Sequence, residues 1–285
     1  MDFLQPRDWD EALALRAGHP DALAVNGGTD VLVDLNFDRR RPAALLDLSK
    51  VASLRDWDRV DGEVRLGAGV PYARVVSELG DALPGLAMAS RTVGSPQIRN
   101  RGTVGGNLGS ASPAGDAHPA LLASGAVVEA ASVRGVRDIP IDDFFTGPKR
   151  NALEPDELIA AVRIPVATGP QQFSKVGTRN AMVISVSAFA LALHPDRQAV
   201  GTGIGSAAPT PRRAAEAEEF LAGELDWATR GPLPESLARA FGERVAAAAS
   251  PIDDVRGTAA YRRHSLAVLA RRAATWAWDD LRRAA

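Results

Sequence analysis

The chain has 285 residues, of which 46% are apolar and 24% charged, with a formal net charge of −2 and no cysteine. This length suffices for one to three domains with a sizeable core, and the composition is that of an ordinary folded protein. The near-neutral charge argues against nucleic-acid binding. Without cysteine, the chain can form neither a disulfide nor an iron–sulfur cluster held by its own thiolates.

Metal-binding and targeting signals are weak in this sequence. The four histidines, at positions 19, 118, 194 and 264, are far apart and lack a metal-ligand spacing, so we predict no metal site. Residues 1–10 carry acids and no apolar signal-sequence core. The longest apolar stretch, 181–193, is too short for a bilayer and indicates a buried strand. We expect no transmembrane segment and a cytoplasmic protein.

The first half of the chain mixes short strands and helices. Apolar runs predict strands at 23–25, 44–48, 63–70, 126–130 and 157–164. Helices are predicted from Pro71 to Leu79, at 86–92 and at 117–124.

The second half of the chain has a different sequence pattern. Strand-like runs occupy 173–176, 181–193 and 200–204, and Ala/Arg/Glu-rich helical patterns follow at 214–221, 237–249 and 259–281. We place a domain boundary near 165–171, where Pro165, Gly169 and Pro170 interrupt the pattern.

Residues 94–116 stand out because glycine occurs at 94, 102, 105, 106, 109 and 115. So much glycine argues against any regular element, while small apolar residues in between indicate packing. Long structureless segments inside folded domains are usually functional. We therefore predict an ordered functional loop here.

Two segments pair adjacent glycines with hydrogen-bonding side chains. They are Asn26–Asp30, with sequence NGGTD, and Thr103–Asn107, with sequence TVGGN. Glycine allows positive φ and a close approach of a ligand to the backbone amides, which can form a concave anion-binding nest. Two such nests are suited to a diphosphate, with Thr29, Thr103 and Asn107 adding side-chain hydrogen bonds.

Other nucleotide motifs fit poorly. No GxxxxGK[ST] sequence is present, and the near match to GxGxxG at 201–206 has serine at its last position and prolines where a helix should begin. Asp116, at the end of the glycine-rich segment, has two interpretations. It can cap the following helix, which the residues alone favour, or its carboxylate can accept hydrogen bonds from sugar or ribitol hydroxyls.

These motifs bear a family resemblance. The motifs that carry the resemblance span nearly the whole chain. They are residues 92–123 (TVGSPQIRNRGTVGGNLGSASPAGDAHPALLA), the Asn26–Asp30 segment, FFTG at 144–147, PDEL at 155–158, APTPR at 208–212 and DVRGTAAYRR at 254–263. The sequence resembles the FAD-binding medium subunit of aerobic carbon monoxide dehydrogenase and the flavin domain of the xanthine dehydrogenase, or molybdenum hydroxylase, family.

The resemblance implies an α+β fold. Residues 1–168 would form a two-subdomain FAD-binding domain of the PCMH/vanillyl-alcohol-oxidase-like kind, divided into about 1–55 and 56–168. Residues 169–285 would form a C-terminal domain with a small antiparallel sheet and helices, of the carbon monoxide dehydrogenase flavoprotein type.

The resemblance also implies the FAD contacts. The two glycine segments would hold the diphosphate, Val93 and Gly94 would line the adenine or ribose side, and Gly109, Ser110 and Asp116 would face the ribitol and flavin. Ile159 would be an apolar contact, and the cation of Lys175 would stabilise anionic reduced flavin. The cofactor-binding residues are thus Val25, Asn26, Gly27, Gly28, Thr29, Asp30, Val31, Val93, Gly94, Thr103, Val104, Gly105, Gly106, Asn107, Gly109, Ser110, Asp116, Ile159 and Lys175.

Two departures from the family matter. Some members place Asp or Tyr beside the flavin ring where this chain has Met182-Val183-Ile184, which leaves the acceptor open. Related subunits with an extra iron–sulfur cluster in an inserted loop need cysteine, so that variant is excluded.

By resemblance, the chain is a non-covalent FAD subunit that passes electrons, with no catalytic residue of its own. A small partner would carry [2Fe–2S] clusters and a large partner the molybdenum cofactor, and the three chains would assemble as a dimer of heterotrimers. Arg99 and Arg101 are candidates for the partner interface or for local loop packing. The alternatives are a free-standing FAD oxidoreductase and a non-redox scaffold. The sequence leaves the substrate and the acceptor open.

Overall fold

The computed structural model describes residues 1–284 and begins with a small parallel sheet. Its elements are β1 (Asp2–Leu4), α1 (Trp9–Gly18), β2 (Leu23–Val25), α2 (Val31–Asn36) and β3 (Ala44–Asp47). The strand order is β1-β3-β2, and both neighbouring pairs are parallel. Parallel strands need a connection that crosses back over the sheet, and α1 and α2 lie within these connections.

A five-stranded antiparallel sheet forms the centre of the first half. Its order is β4 (Trp57–Val60), β5 (Glu63–Gly67), β10 (Leu158–Pro165), β6 (Val127–Ser132) and β7 (Gly135–Pro140). The middle strand, β10, pairs antiparallel with both β5 and β6, and six of its eight residues are buried, in keeping with its apolar sequence LIAAVRIP.

Helices and a hairpin connect these strands. They are α3 (Tyr72–Glu78), α4 (Pro84–Arg91), α5 (Pro96–Arg99), α6 (Val104–Ser110), α7 (Ala117–Ser124), α8 (Ile141–Phe144), β8 (Phe145–Gly147) and β9 (Arg150–Asn151). Proline opens α4 and α5 at their first turns, where its missing N–H costs no helical hydrogen bond.

The second half forms a three-stranded antiparallel sheet packed by helices. The strands are β11 (Gln171–Val176), β12 (Ser187–His194) and β13 (Ala199–Gly205), in that order. The helices are α9 (Ala215–Glu224), α10 (Glu235–Ala248) and α11 (Ala259–Arg283). None of the helices in the described part of the chain has both the length and the hydrophobicity that crossing a bilayer requires.

Strand β12 belongs to both hydrophobic cores. Its residues Ala188, Ala190 and Ala192 join the core of the first half, whereas Phe189, Leu191 and Leu193 join that of the second half. Successive side chains on a strand point to opposite faces, so one strand serves two cores only if both faces are covered. The apolar run of this strand, without polar alternation, follows from this double burial.

The predicted α+β class is confirmed, and so are most of the predicted elements. Two expectations were wrong. The glycine-rich segment 94–116 is not a structureless loop, because it contains α5 and α6. The predicted strand 181–193 begins only at Ser187, since residues 177–186 form an irregular segment. The domain limits of 1–168 and 169–285 stay a prediction.

We predict that Phe189→Ala lowers the free energy of unfolding by about 3–5 kcal/mol, because it leaves a cavity that the core cannot refill. Phe189 is fully buried, with its ring centroid 6.2 Å from that of Phe241. Phe3→Ala is the matched control, since Phe3 also lies in a strand but is 62% exposed; its expected effect is about 0.5 kcal/mol. Denaturant titration measures both, and equal losses would contradict the assigned core.

Candidate functional site

The first glycine segment lies where β2 ends and α2 begins. Gly28 has φ +76°, which favours glycine. A Cβ on Gly27 would lie 1.9 Å from the carbonyl oxygen of Arg101, so this position admits only glycine. The half-buried Val25 and Val31 flank the segment, with a Val25 methyl 3.9 Å from the Cβ position of Gly28. The turn is therefore shaped by close backbone contact with Arg101 and Gly102, which lead into the second glycine segment.

The second glycine segment is the start of a helix and not a nest. Thr103 is the N-cap of α6, and its Oγ1 accepts a 2.8 Å hydrogen bond from the amide of Gly106. Thr103 is only 3% exposed and its hydroxyl oxygen accepts the capping bond, and the predicted bond from its side chain to a cofactor stays a prediction. Val104 is also buried and can offer a ligand only its backbone.

The two adjacent glycines of this helix differ in their surroundings. A Cβ on Gly105 would meet the carbonyl oxygen of Ala68 at 2.5 Å, so Gly105 lets α6 lie against the end of β5. Gly106 is exposed, has an ordinary φ, and a Cβ there would have only Thr103 Oγ1 within 4 Å, at 3.1 Å. Gly106 thus presents a bare backbone surface outward, and no fold constraint demands glycine there.

The two glycine segments are brought together in space. Besides the Gly27 contact with Arg101, the Oγ1 of Thr29 lies 3.4 Å from the Cβ position of Gly102. Asn26 lies in the same neighbourhood, its Nδ2 3.0 Å from the Cβ position of Gly69. The predicted convergence of residues 26–30 with the segment around 103 is therefore present in the fold. Asp30 is exposed at the start of α2 and makes no capping bond.

Val93 and Gly94 form the turn after α4. Gly94 has φ +48°, and the guanidinium of Arg99 donates to the carbonyl oxygens of Val93 and Gly94, at 3.1 and 3.0 Å. Arg99 thus serves local loop packing. Arg101 is exposed and forms no ion pair with any acidic side chain of residues 1–284.

The end of α6 meets strand β10 and the β8–β9 hairpin. The Cβ position of Gly109 is 4.0 Å from Cδ1 of the buried Ile159, which joins two predicted site residues. The carbonyl of Gly109 accepts from Nδ2 of Asn151 at 3.2 Å. Ser110 donates its hydroxyl to the carbonyl of Asn107 at 3.0 Å. These bonds fix the C-terminal turn of α6 against its neighbours.

Asp116 does not cap α7, so the interpretation that the residues alone favoured was wrong. It occupies the N-cap position in a helical conformation and makes no capping bond. Instead, Asp116 Oδ2 accepts from Lys175 Nζ at 2.6 Å, and Oδ1 accepts from the hydroxyl of Ser185 at 2.5 Å. Thr92 Oγ1 completes the set at 3.3 Å from Oδ2. The carboxylate thus joins the first half of the chain to the second.

Two buried titratable side chains lie behind these segments, and sequence reasoning missed both. Burial, followed by the nearby charges of Asp116 and Asp30, holds the pKa of Tyr72 well above 10, and its hydroxyl has no hydrogen-bond partner. Burial lowers the pKa of His118 to about 4, so its ring is neutral. Its Nε2 lies 3.1 Å from the carbonyl of Asn107. Both side chains are neutral supports, and nothing in the local sequence marks them.

Among the described residues, no group of three or more acidic or histidine side chains is arranged to hold a metal ion. The groups that do converge are hydrogen-bonding side chains, glycine backbone and apolar side chains. Their arrangement is suited to holding an extended polar ligand.

Comparison with known proteins agrees with the family resemblance over most of the chain. Residues 1–167 match the family described as the FAD binding domain in molybdopterin dehydrogenase, and residues 172–277 match the carbon monoxide dehydrogenase flavoprotein C-terminal domain.

Individual relatives agree with these family matches. The chain is 32% identical to the nicotine 6-hydroxylase medium subunit of Paenarthrobacter nicotinovorans, covering 95% of this chain and 94% of the relative. It is 31% identical to the xanthine dehydrogenase FAD-binding subunit of Escherichia coli O157:H7, covering 92% and 90%.

Among solved structures, a chain of carbon monoxide dehydrogenase from Hydrogenophaga pseudoflava superposes with a TM-score of 0.90 at 26% identity, covering 99% of this chain and 98% of that one. A chain of quinoline 2-oxidoreductase from Pseudomonas putida 86 gives 0.89 at 25% identity, covering 98% and 97%. The glycine segments, the fold around them and both family matches agree: the chain belongs to the family of FAD-binding subunits of molybdopterin dehydrogenases.

Proposed function

We propose that this subunit binds FAD non-covalently at the meeting point of the two glycine segments and relays electrons. The observation that carries the proposal is the backbone contact of Gly27 with Arg101, which brings residues 26–30 close to the segment that leads into α6, the helix on which Gly106 is exposed. Glycine backbone in both segments suits a diphosphate, because no Cβ blocks the close approach of its oxygens to the chain. The exposed cation of Arg101 adds favourable charge for this anion.

The residues present fit the rest of the cofactor as well. Lys175 and Ser185 donate to the Asp116 carboxylate, whereas the single hydroxyl proton of Thr92 has a shorter bond to the carbonyl of Ala89. A carboxylate offers about four acceptor positions, so acceptor capacity is left for a ribitol hydroxyl. Gly109 and Ile159 form a small apolar surface beside α6. We propose that the FAD contacts are the residues named from the resemblance, with Thr103 acting through its helix cap and Val104 through its backbone.

The proposed role is transfer of electrons from [2Fe–2S] clusters of a small partner chain to an external acceptor. A large partner would hold the molybdenum cofactor, and the assembly would be a dimer of heterotrimers. Bound FAD would supply a centre that exchanges electrons one or two at a time. This chain's residues would bind and orient the cofactor. We place its FAD-binding domain at 1–168, with subdomains at about 1–55 and 56–168, and its C-terminal domain at 169–285.

We predict that FAD leaves the protein on acid or heat denaturation, because the chain has no cysteine for a thioether link. Chromatography of the yellow supernatant should recover FAD in an amount close to that bound. Flavin that stays with the precipitated protein would indicate a covalent link.

We predict that Gly106→Val weakens FAD binding by about 3 kcal/mol, more than a hundredfold in Kd, while the chain stays folded. The new side chain would cover backbone that faces the ligand, whereas its Cβ meets only a side-chain oxygen of the protein. Gly223→Val is the matched control, since Gly223 is also an exposed helical glycine, with nothing within 4 Å of its Cβ position. Flavin fluorescence titration measures both. Unchanged affinity of Gly106→Val would mean that this surface does not contact FAD.

The relay role predicts that the isolated FAD-loaded chain oxidises no substrate, and that turnover needs its partners. The test compares the chain alone with the complex purified from its native host, using candidate substrates and an artificial electron acceptor. Turnover by the chain alone at an ordinary enzymatic rate, on the order of 1–1000 per second, would establish a free-standing oxidoreductase in place of the relay.

A further inference from the structure

A buried polar cluster joins the two halves of the chain at the edge of the proposed FAD site. Asp116 and Lys175 form an ion pair of 2.6 Å, and each side chain is only 10% exposed. Asp116 precedes α7, and Lys175 lies on β11, in the second half. Ser185, from the irregular segment before β12, donates to the same carboxylate, and the hydroxyl oxygen of Thr92, at the end of α4, lies 3.3 Å from it. The cluster is thus assembled from four separate parts of the chain.

The hydrogen bonds of Lys175 are complete without any ligand. Its ammonium group donates to Asp116 Oδ2 at 2.6 Å and to the carbonyl oxygens of Thr92 and Val183 at 3.1 and 3.2 Å. A lysine ammonium has three N–H donors, so all of them are used. Lys175 can therefore influence a cofactor through its charge and not through a hydrogen bond.

The neighbouring carboxylate of Asp116 offsets the charge of Lys175. A carboxylate at 2.6 Å, with both groups largely shielded from water, cancels most of the field that the ammonium alone would exert on a neighbour. The expectation that the cation of Lys175 stabilises anionic reduced flavin did not take this partner into account. Removal of either member would leave the other as an unbalanced, poorly solvated charge.

We propose that Asp116 and Lys175 act as one charge-neutral unit beside bound FAD, with Asp116 as the residue that positions and offsets the lysine. The proposal rests on the FAD site proposed above. Reduction of FAD to its anionic reduced form adds two electrons and one proton and leaves one negative charge. The neutral pair therefore shifts this equilibrium little, whereas either unpaired charge shifts it in its own direction.

The test compares Asp116→Asn, Lys175→Met and the double variant, each as the full FAD-loaded chain titrated with dithionite against reference dyes. Asp116→Asn should raise the ratio of affinities for reduced over oxidised FAD about tenfold, or about 30 mV for a two-electron couple. Lys175→Met should lower it by a similar factor, about tenfold, because a lone carboxylate disfavours the anion. The double variant should return to within about twofold of the wild type, as expected when the two charges cancel.

The controls are Lys175→Arg, which keeps the charge, and the exposed pair on α10, Glu235 and Arg239, whose nitrogen and oxygen atoms are 3.3 Å apart. Lys175→Arg, Glu235→Gln and Arg239→Met should all leave the affinity ratio near that of the wild type. If Asp116→Asn leaves the ratio unchanged and the double variant behaves like Lys175→Met, Lys175 acts as a lone cation and the proposal is overturned.

Thermal unfolding of the chain without FAD provides a second measurement. Both single variants should lower the melting temperature, and the double variant should lower it by less than the sum of the two. Additive losses would overturn the pairing even where a variant binds FAD poorly. Failure of the wild-type chain to bind FAD would overturn the FAD site itself, and with it this inference, so the two failures are distinguishable.

Discussion

The packing of helix α7 against strand β13 is the contact on which the site depends. All eight residues of α7 are buried, and a Cβ on Gly201 or Gly203 would lie 2.0 Å from a carbonyl oxygen of the helix. Helix and strand can approach this closely only because the strand carries glycine at both positions. The approach seats the C-terminal sheet on the first half of the chain.

This packing explains why the site combines residues from both halves of the chain. With α7 held against β13, Asp116 at its N-terminus reaches Lys175 on β11, two strands away in the same sheet. The glycine segments lie wholly in the first half of the chain, whereas Lys175 belongs to the second half. A cofactor bound there is expected to depend on both halves being in place.

The regular elements were predictable because their signals are local. Helices α9, α10 and α11 have long helical patterns, and β10 and β13 have short apolar runs between turn residues. Hydrophobic periodicity and turn residues were therefore enough to predict these elements. Helix α6 was missed for a physical reason. Glycine in a helix interior costs up to about 1 kcal/mol relative to alanine, so its composition argued against a helix. The cap from Thr103 and the close contact of Gly105 with Ala68 outweigh that local preference.

The polar half of the site was less predictable. Asp116 and Lys175 were both expected near the cofactor, but their ion pair was not, since 59 residues separate them in the chain. Ser185 was hidden in a stretch that looked like a strand, and that stretch is irregular where Lys175 and Arg179 bind its carbonyl oxygens. Such contacts arise from tertiary packing and leave no local signature in the sequence.

The protonation states of the buried His118 and Tyr72 are fixed in the range where acid–base catalysts usually work. A general acid or base works best with a pKa near the working pH. Burial has moved the pKa of both buried titratable side chains away from that range: the pKa of His118 falls to about 4, and that of Tyr72 rises well above 10. Neither exchanges a proton between pH 5 and 8. What these two residues can offer a cofactor is a fixed shape and a fixed charge.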